Sequence, residues 1–92
     1  MDLHDKPQKL AMVYARRQQD GYGLFNTETA RFYIINEIGY EVWERCTGSN
    51  TVQQIAQALF EILLDPPEPD AVEKDVLEIL DQMHQNGLVS VA

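Results

Sequence analysis

Few residues of this chain have the types and spacing that enzyme chemistry needs. The candidates are one thiol, Cys46, and two imidazoles, His4 and His84. None stands at a spacing typical of a zinc site, and no nucleophile has a recognisable base beside it in the sequence. The segment Gly21–Gly23 is too short for a phosphate-binding loop and no helix is predicted after it. We therefore predict no catalytic residue, no metal and no cofactor: the chain is not expected to be an enzyme.

The single cysteine and the N-terminal segment indicate the cellular compartment of the protein. One cysteine cannot form an internal disulfide, which fits a reducing compartment. Cys46 falls on the apolar side of a predicted helix, so we expect a buried thiol, with intermolecular pairing or nucleophilic use as alternatives. The N-terminus lacks the pattern of a signal peptide, and no run of about 18 apolar residues predicts a membrane helix. A cytoplasmic location is expected.

Charge is unevenly distributed along the 92 residues. The net charge is -8; residues 1–45 carry six basic and seven acidic side chains, whereas residues 46–92 carry only Lys74 against eight acidic ones. Nucleic-acid binding draws on basic surfaces that displace counterions from phosphates. The C-terminal half would instead repel a duplex, so a nucleic-acid partner is not expected.

The N-terminal part of the chain has the pattern of a small sheet. Residues 1–9 are polar and aperiodic, which predicts a flexible tail before a single domain over residues 10–92. Strands are predicted at Leu10–Tyr14, Tyr22–Phe25 and Arg31–Ile35. The last is the clearest, because β-branched and aromatic residues dominate it.

Three helices are predicted after these strands, because the apolar period changes from two to 3.6 residues. Asn36 is the expected N-cap of the first helix, and Thr51 with Gln54 predicts a capping box for the second. Asp70 with Glu73 predicts an acidic version of that box for the third, after the proline-rich break at residues 65–69. The third helix should stop at Asn86-Gly87, before a short strand at Leu88–Val91. Three strands followed by three helices predict an α+β, winged helix-turn-helix-like fold.

The third helix has a wider apolar arc than one packing contact needs. Val72, Val76, Ile79 and Met83 fall within roughly 60° at about 100° per residue, and Leu77 and Leu80 widen the arc to roughly 160°. One interpretation is deep packing of the helix in the core. The other is a groove, with Leu77 and Leu80 as one wall and the edge of the third strand as the other. A free strand edge can accept an extended peptide.

Most of the chain, from about residue 12 to 90, resembles the PqqD-like family. The segments that carry the resemblance, in the family's order and spacing, are Tyr33–Gly39, Val42-Trp43, Cys46–Gly48, Thr51–Ile55, Asp75–Leu80 and Asn86–Val89. Two features depart from the family pattern. Ile35 stands where leucine is common, and the proline-rich connection is longer than expected.

The resemblance implies a recognition element for ribosomally synthesised precursor peptides. A precursor's leader segment would add antiparallel to the third strand, against the third helix. The precursor would then pass to a modifying enzyme, either a radical S-adenosylmethionine protein or a protease, in a pathway such as pyrroloquinoline quinone or lasso-peptide synthesis. The peptide-binding residues implied by position are Arg31, Phe32, Tyr33, Ile34, Ile35, Glu73, Val76, Leu77 and Leu80.

Two other functions are compatible with this pattern of elements. A winged-helix DNA-binding regulator would share it, but it needs a basic recognition helix, and this one carries Asp75, Glu78 and Asp81 against Lys74. A homodimer that pairs through its strand edge is the second alternative.

Overall fold

The computed structural model describes residues 1–91 as two small antiparallel sheets and three helices. This confirms the predicted α+β class with strands before three helices; the likeness to a winged helix stays a prediction. In chain order the elements are β1 (Pro7–Lys9), β2 (Val13–Gln18), β3 (Gly21–Asn26), β4 (Arg31–Ile35), α1 (Glu37–Glu44), α2 (Val52–Ile62), α3 (Pro69–Gln85) and β5 (Val89–Val91).

The larger sheet is an antiparallel meander in the order β2-β3-β4, so β4 is an edge strand. The bounds of β4 match the prediction, but β2 begins at Val13 and not at Leu10. Leu10 lies in a turn, where its carbonyl accepts a hydrogen bond from the Val13 amide at 3.0 Å. The weak alternation at Leu10–Tyr14 could not distinguish this turn from the start of a strand.

The first nine residues are not simply a tail. Pro7–Lys9 form β1 and pair antiparallel with β5 near the other end of the chain. The carbonyls of Leu3 and Asp5 accept hydrogen bonds from the amides of Gln53 and Val52, at 3.0 and 2.9 Å, in the first turn of α2. The partners lie far away in sequence, so no local pattern could indicate this pairing.

Two of the three predicted helix starts are confirmed. The Asn36 side chain accepts a hydrogen bond from the Gly39 amide at 2.8 Å, and Thr51 with Gln54 forms the full capping box. The predicted cap at Asp70 and Glu73 is wrong, because α3 begins at Pro69 and has no side-chain cap. Proline suits a first helical position, since its fixed φ angle fits the helix and its missing amide would have had no intrahelical partner.

The core lies where the helices meet the inner face of the larger sheet. Its fully buried side chains include Leu24, Val42, Val76 and Leu80, each 0% exposed. Cys46 is also 0% exposed, as predicted, and burial raises the pKa of its thiol to about 12.

A buried asparagine ties the sheet to the end of α3. Asn26, at the end of β3, is 3% exposed, and its side-chain amide donates a 2.7 Å hydrogen bond to the Gly87 carbonyl. Its side-chain oxygen accepts from the amides of Glu28 and Thr29 in the turn before β4. One residue therefore fixes both the β3–β4 turn and its distance from the helix end. This positions β4 beside α3.

Candidate peptide-binding groove

A groove of about 320 Å³ separates the edge and the end of β4 from one side of α3. We call it the β4–α3 groove. Its floor and walls are mainly apolar, with amide side chains on the helix side. The lining residues are Tyr33, Ile34, Ile35, Asn36, Ile38, Gly39, Ile79, Gln82, Met83, Asn86 and Leu88.

The strand wall consists of residues that the sequence predicted. Tyr33 and Ile35 are half-buried and pack against the core, whereas Phe32 and Ile34 are 48% and 68% exposed. Successive side chains of a strand point to opposite faces, so Tyr33 and Ile35 share the groove side with Arg31. Within residues 1–91 no strand pairs with the outer edge of β4. Alternate backbone groups along that edge are therefore available to a further strand.

The helix wall differs from the predicted one. Val76 and Leu80 are 0% exposed and belong to the core, so their side chains are not accessible to a ligand in the groove. The side chains that line the groove are those of Ile79, Gln82, Met83 and Asn86. None of the four helix residues predicted for the site lines the groove.

Glu73 and Leu77 lie on the opposite flank of α3. At about 100° per residue they point roughly 120° and 160° away from Ile79, with the core stripe between them and the groove. Ile79 and Met83 were recognised from the sequence, but only as core residues. The other two side chains of the groove flank, Gln82 and Asn86, are polar, so the width of the apolar arc could not identify them.

The two ends of the groove differ in charge. At the start of β4, Arg31 and Tyr33 line a cavity of about 370 Å³ with Gln85 and Asn86 of α3. At the other end a cavity of about 330 Å³ is lined by Ile38, Asp75, Glu78, Ile79 and Gln82.

These charges are not neutralised by ion pairs. In the described part of the chain, salt bridges join the N-terminal amine to Asp81, Lys9 to Glu44, and Arg45 to Glu41. Arg31, Asp75 and Glu78 take part in none of them. The charged ends of the groove are therefore open to a ligand.

The outer face of the larger sheet carries a row of exposed aromatic side chains. Tyr14, Phe25 and Phe32 lie opposite one another across the three strands. The ring of Phe32 covers Gly23, where a side chain would collide with it. Phe32 was predicted as a site residue, but its side chain lies on this outer face and only its backbone is at the groove edge.

The described residues offer little for covalent or metal chemistry. Over residues 1–91 no three His, Cys, Asp or Glu side chains are grouped in a way that could hold a metal ion. The raised pKa of Cys46 keeps that thiol protonated at neutral pH, so it is a poor nucleophile. An edge strand beside an apolar groove is, in contrast, suited to holding an extended peptide.

The family model for coenzyme PQQ synthesis protein D matches residues 21–89, three quarters of the chain. The chain belongs to the PqqD family. The resemblance in the sequence is thereby confirmed. No curated protein matches the chain significantly. No helix within the described range is both long and apolar enough to cross a bilayer.

Three solved structures share the fold of this PqqD-family chain. A lasso peptide synthetase B1 complexed with the leader peptide has a TM-score of 0.78 at 14% identity, covering 92% of this chain and 98% of that one. TbiB1 in complex with the TbiA(β) leader peptide has a TM-score of 0.77 at 16% identity, with 90% and 94% covered. The PqqD part of PqqCD from Methylobacterium extorquens, described as a functional, stand-alone RiPP recognition element, has a TM-score of 0.73 at 27% identity, with 91% and 87% covered.

Proposed function

We propose that this protein binds the leader segment of a ribosomally synthesised precursor peptide and delivers it, without catalysis, to a modifying enzyme. The observation that carries the proposal is the free edge of β4 facing an apolar groove whose other wall is α3. Two of the solved structures with this fold are complexes with leader peptides, and the third is described as a RiPP recognition element.

Strand addition explains how one domain can hold a flexible segment. Backbone hydrogen bonds along the β4 edge provide affinity that depends little on peptide sequence. Peptide side chains on the groove side then contact Tyr33, Ile35 and Ile79, which provides selectivity. The proposed site therefore keeps Arg31–Ile35 from the sequence prediction and replaces its helix residues by Ile79, Gln82, Met83 and Asn86.

The partners and pathway follow from the same proposal. The modifying enzyme would be a radical S-adenosylmethionine protein or a protease, and the family description favours pyrroloquinoline quinone synthesis. A cytoplasmic location and a single domain that includes β1 fit this role. Self-pairing through β4 would occupy the same edge as the peptide, so a homodimer of that kind would compete with leader binding.

The test is a titration of ¹⁵N-labelled protein with the leader peptide encoded beside its gene. Amide shifts should concentrate in Arg31–Ile35 and in Ile79–Asn86 of α3. No binding, or shifts that avoid both segments, would refute the proposal. A parallel titration with duplex DNA at low salt tests the winged-helix regulator, because phosphate contacts weaken as salt rises.

A further inference from the structure

The groove has a positive end and a negative end. β4 and α3 cross it in opposite directions: Arg31, at the start of β4, lies near Gln85 and Asn86 at the end of α3. Ile38, beyond the end of β4, lies near Asp75 and Glu78 in the middle of α3. The basic side chain and the two acidic ones therefore mark opposite ends of one path along the strand edge.

The middle of this path is apolar. Tyr33 and Ile35 come from β4, Ile38 from α1, and Ile79 and Met83 from α3. Ile38 and Ile79 also line the acidic end, so the apolar middle and the acidic end are continuous.

An added strand would sample this path at every second residue. Peptide residues directly opposite Arg31, Tyr33 and Ile35 would point to the groove side, because opposed side chains of paired strands share a face. Neighbouring groove-facing residues of the peptide are then about 6.6 Å apart. The next one beyond Ile35 would lie toward Ile38 and the acidic side chains of α3.

We propose that the groove selects segments with the pattern basic–x–aliphatic–x–aliphatic–x–acidic, written from N- to C-terminus. The proposal rests on the function proposed above and on antiparallel addition, which puts the C-terminal part of the peptide beside Arg31. The acidic residue pairs with Arg31, the two aliphatic residues fill the middle, and the basic residue pairs with Asp75 and Glu78. Parallel addition would require the opposite order of charges.

The probes are two synthetic, end-capped peptides with the same composition. The first contains Lys-Thr-Leu-Thr-Leu-Thr-Glu, and the second contains Glu-Thr-Leu-Thr-Leu-Thr-Lys, each flanked by two serines. Fluorescence anisotropy should show the first binding about tenfold tighter, taking roughly threefold for each exposed ion pair. The difference should shrink strongly in 1 M salt, where the screening length is about 3 Å. Equal binding, or tighter binding of the second peptide, would overturn the proposal.

A charge reversal tests the end assigned to Arg31. Arg31→Glu should change the preference at the last position, so that Lys-Thr-Leu-Thr-Leu-Thr-Lys binds more tightly than the peptide ending in Glu. The matched control is Arg16→Glu, which makes the same charge change on the exposed outer face of β2. The pattern would be wrong if Arg16→Glu changed the preference as much as Arg31→Glu did.

The outcomes separate this pattern from the function itself. If the natural leader binds at β4 and α3 but neither synthetic peptide binds, the pattern is refuted and the function stands. If the natural leader does not bind, both the proposed function and the pattern are refuted.

Discussion

Leu77 and Ile79 are two residues apart on α3, and both are half-buried aliphatic side chains packed against the core. They nevertheless belong to different surfaces. Ile79 lines the groove beside β4, whereas Leu77 lies on the opposite side of the buried stripe formed by Val76 and Leu80. What distinguishes them is the neighbouring element and not their own hydrophobicity. A binding surface is thus defined by the strand that faces the helix.

The largest effect should come from a substitution in the buried stripe of α3, which lies between the flank of Ile79 and the flank of Leu77. Leu80→Asp places a carboxylate at a position that is 0% exposed. We expect a loss of more than about 3 kcal/mol in the free energy of unfolding, because the apolar contacts are lost and a charge is buried without a partner. Urea denaturation measures the loss. Gln82→Asp, on the exposed groove flank, is the control and should leave the midpoint nearly unchanged.

Cys46 provides an independent measure of the same unfolding. Its pKa of about 12 in the folded protein keeps the thiol protonated and unreactive toward a disulfide reagent at pH 8. Unfolding should expose it, so Leu80→Asp should react rapidly and Gln82→Asp slowly. Folding raises the pKa of this thiol above its usual 9.0, so the stabilisation from keeping Cys46 protonated is complete below pH 9 and is lost as the pH rises toward 12. A Leu80→Asp protein that stayed folded and unreactive would contradict the placement of Leu80 in the core.

The same charge placed on each flank of α3 should have different effects on the affinity for the leader. Ile79→Glu should weaken leader binding at least tenfold, because it replaces an apolar wall by a carboxylate beside Asp75 and Glu78. Leu77→Glu should cost similar stability but leave the affinity within twofold. Calorimetric titration of both variants with the leader measures this difference. If Leu77→Glu caused the larger loss, the flank predicted from the sequence would be the correct one.

The smallest effect should come from removing single carboxylates. Asp75→Asn should weaken binding of the peptide containing Lys-Thr-Leu-Thr-Leu-Thr-Glu about threefold, as expected for an exposed ion pair. Glu73→Gln, on the opposite flank, should weaken binding of the same peptide by less than about 1.5-fold. Anisotropy titrations at low salt compare the two. Equal losses would indicate a general effect of net charge and no directed contact at the end of the groove.

Local patterns were enough to predict β4, the cap at Asn36 and the capping box at Thr51. The hydrogen bonds of both caps span only three residues, and β4 pairs with the strand that directly precedes it, so all three features depend on nearby sequence. The same holds for the end of α3, where Gly87 has the positive φ angle of 71° that favours glycine.

The features that the sequence did not reveal depend on distant partners. β1 exists because β5 lies beside it, and its three residues have no periodicity of their own. The groove flank of α3 depends on where β4 lies, which is fixed by the Asn26–Gly87 hydrogen bond across 61 residues. The helical period gave the shape of the apolar arc correctly. It could not show which edge of that arc would face the sheet.

The exposed aromatic side chains of Tyr14, Phe25 and Phe32 form the outer face next to which a strand added at β4 would lie. Such a strand turns half of its side chains toward the groove and the other half outward, next to Phe32 and Ile34. A leader bound in this way carries two interleaved sets of residues. In the proposed binding mode, one set would be constrained by this protein, while the other would face outward beside Phe32 and Ile34, accessible to a second protein. A leader could then change its outward residues to suit a different enzyme and still bind here.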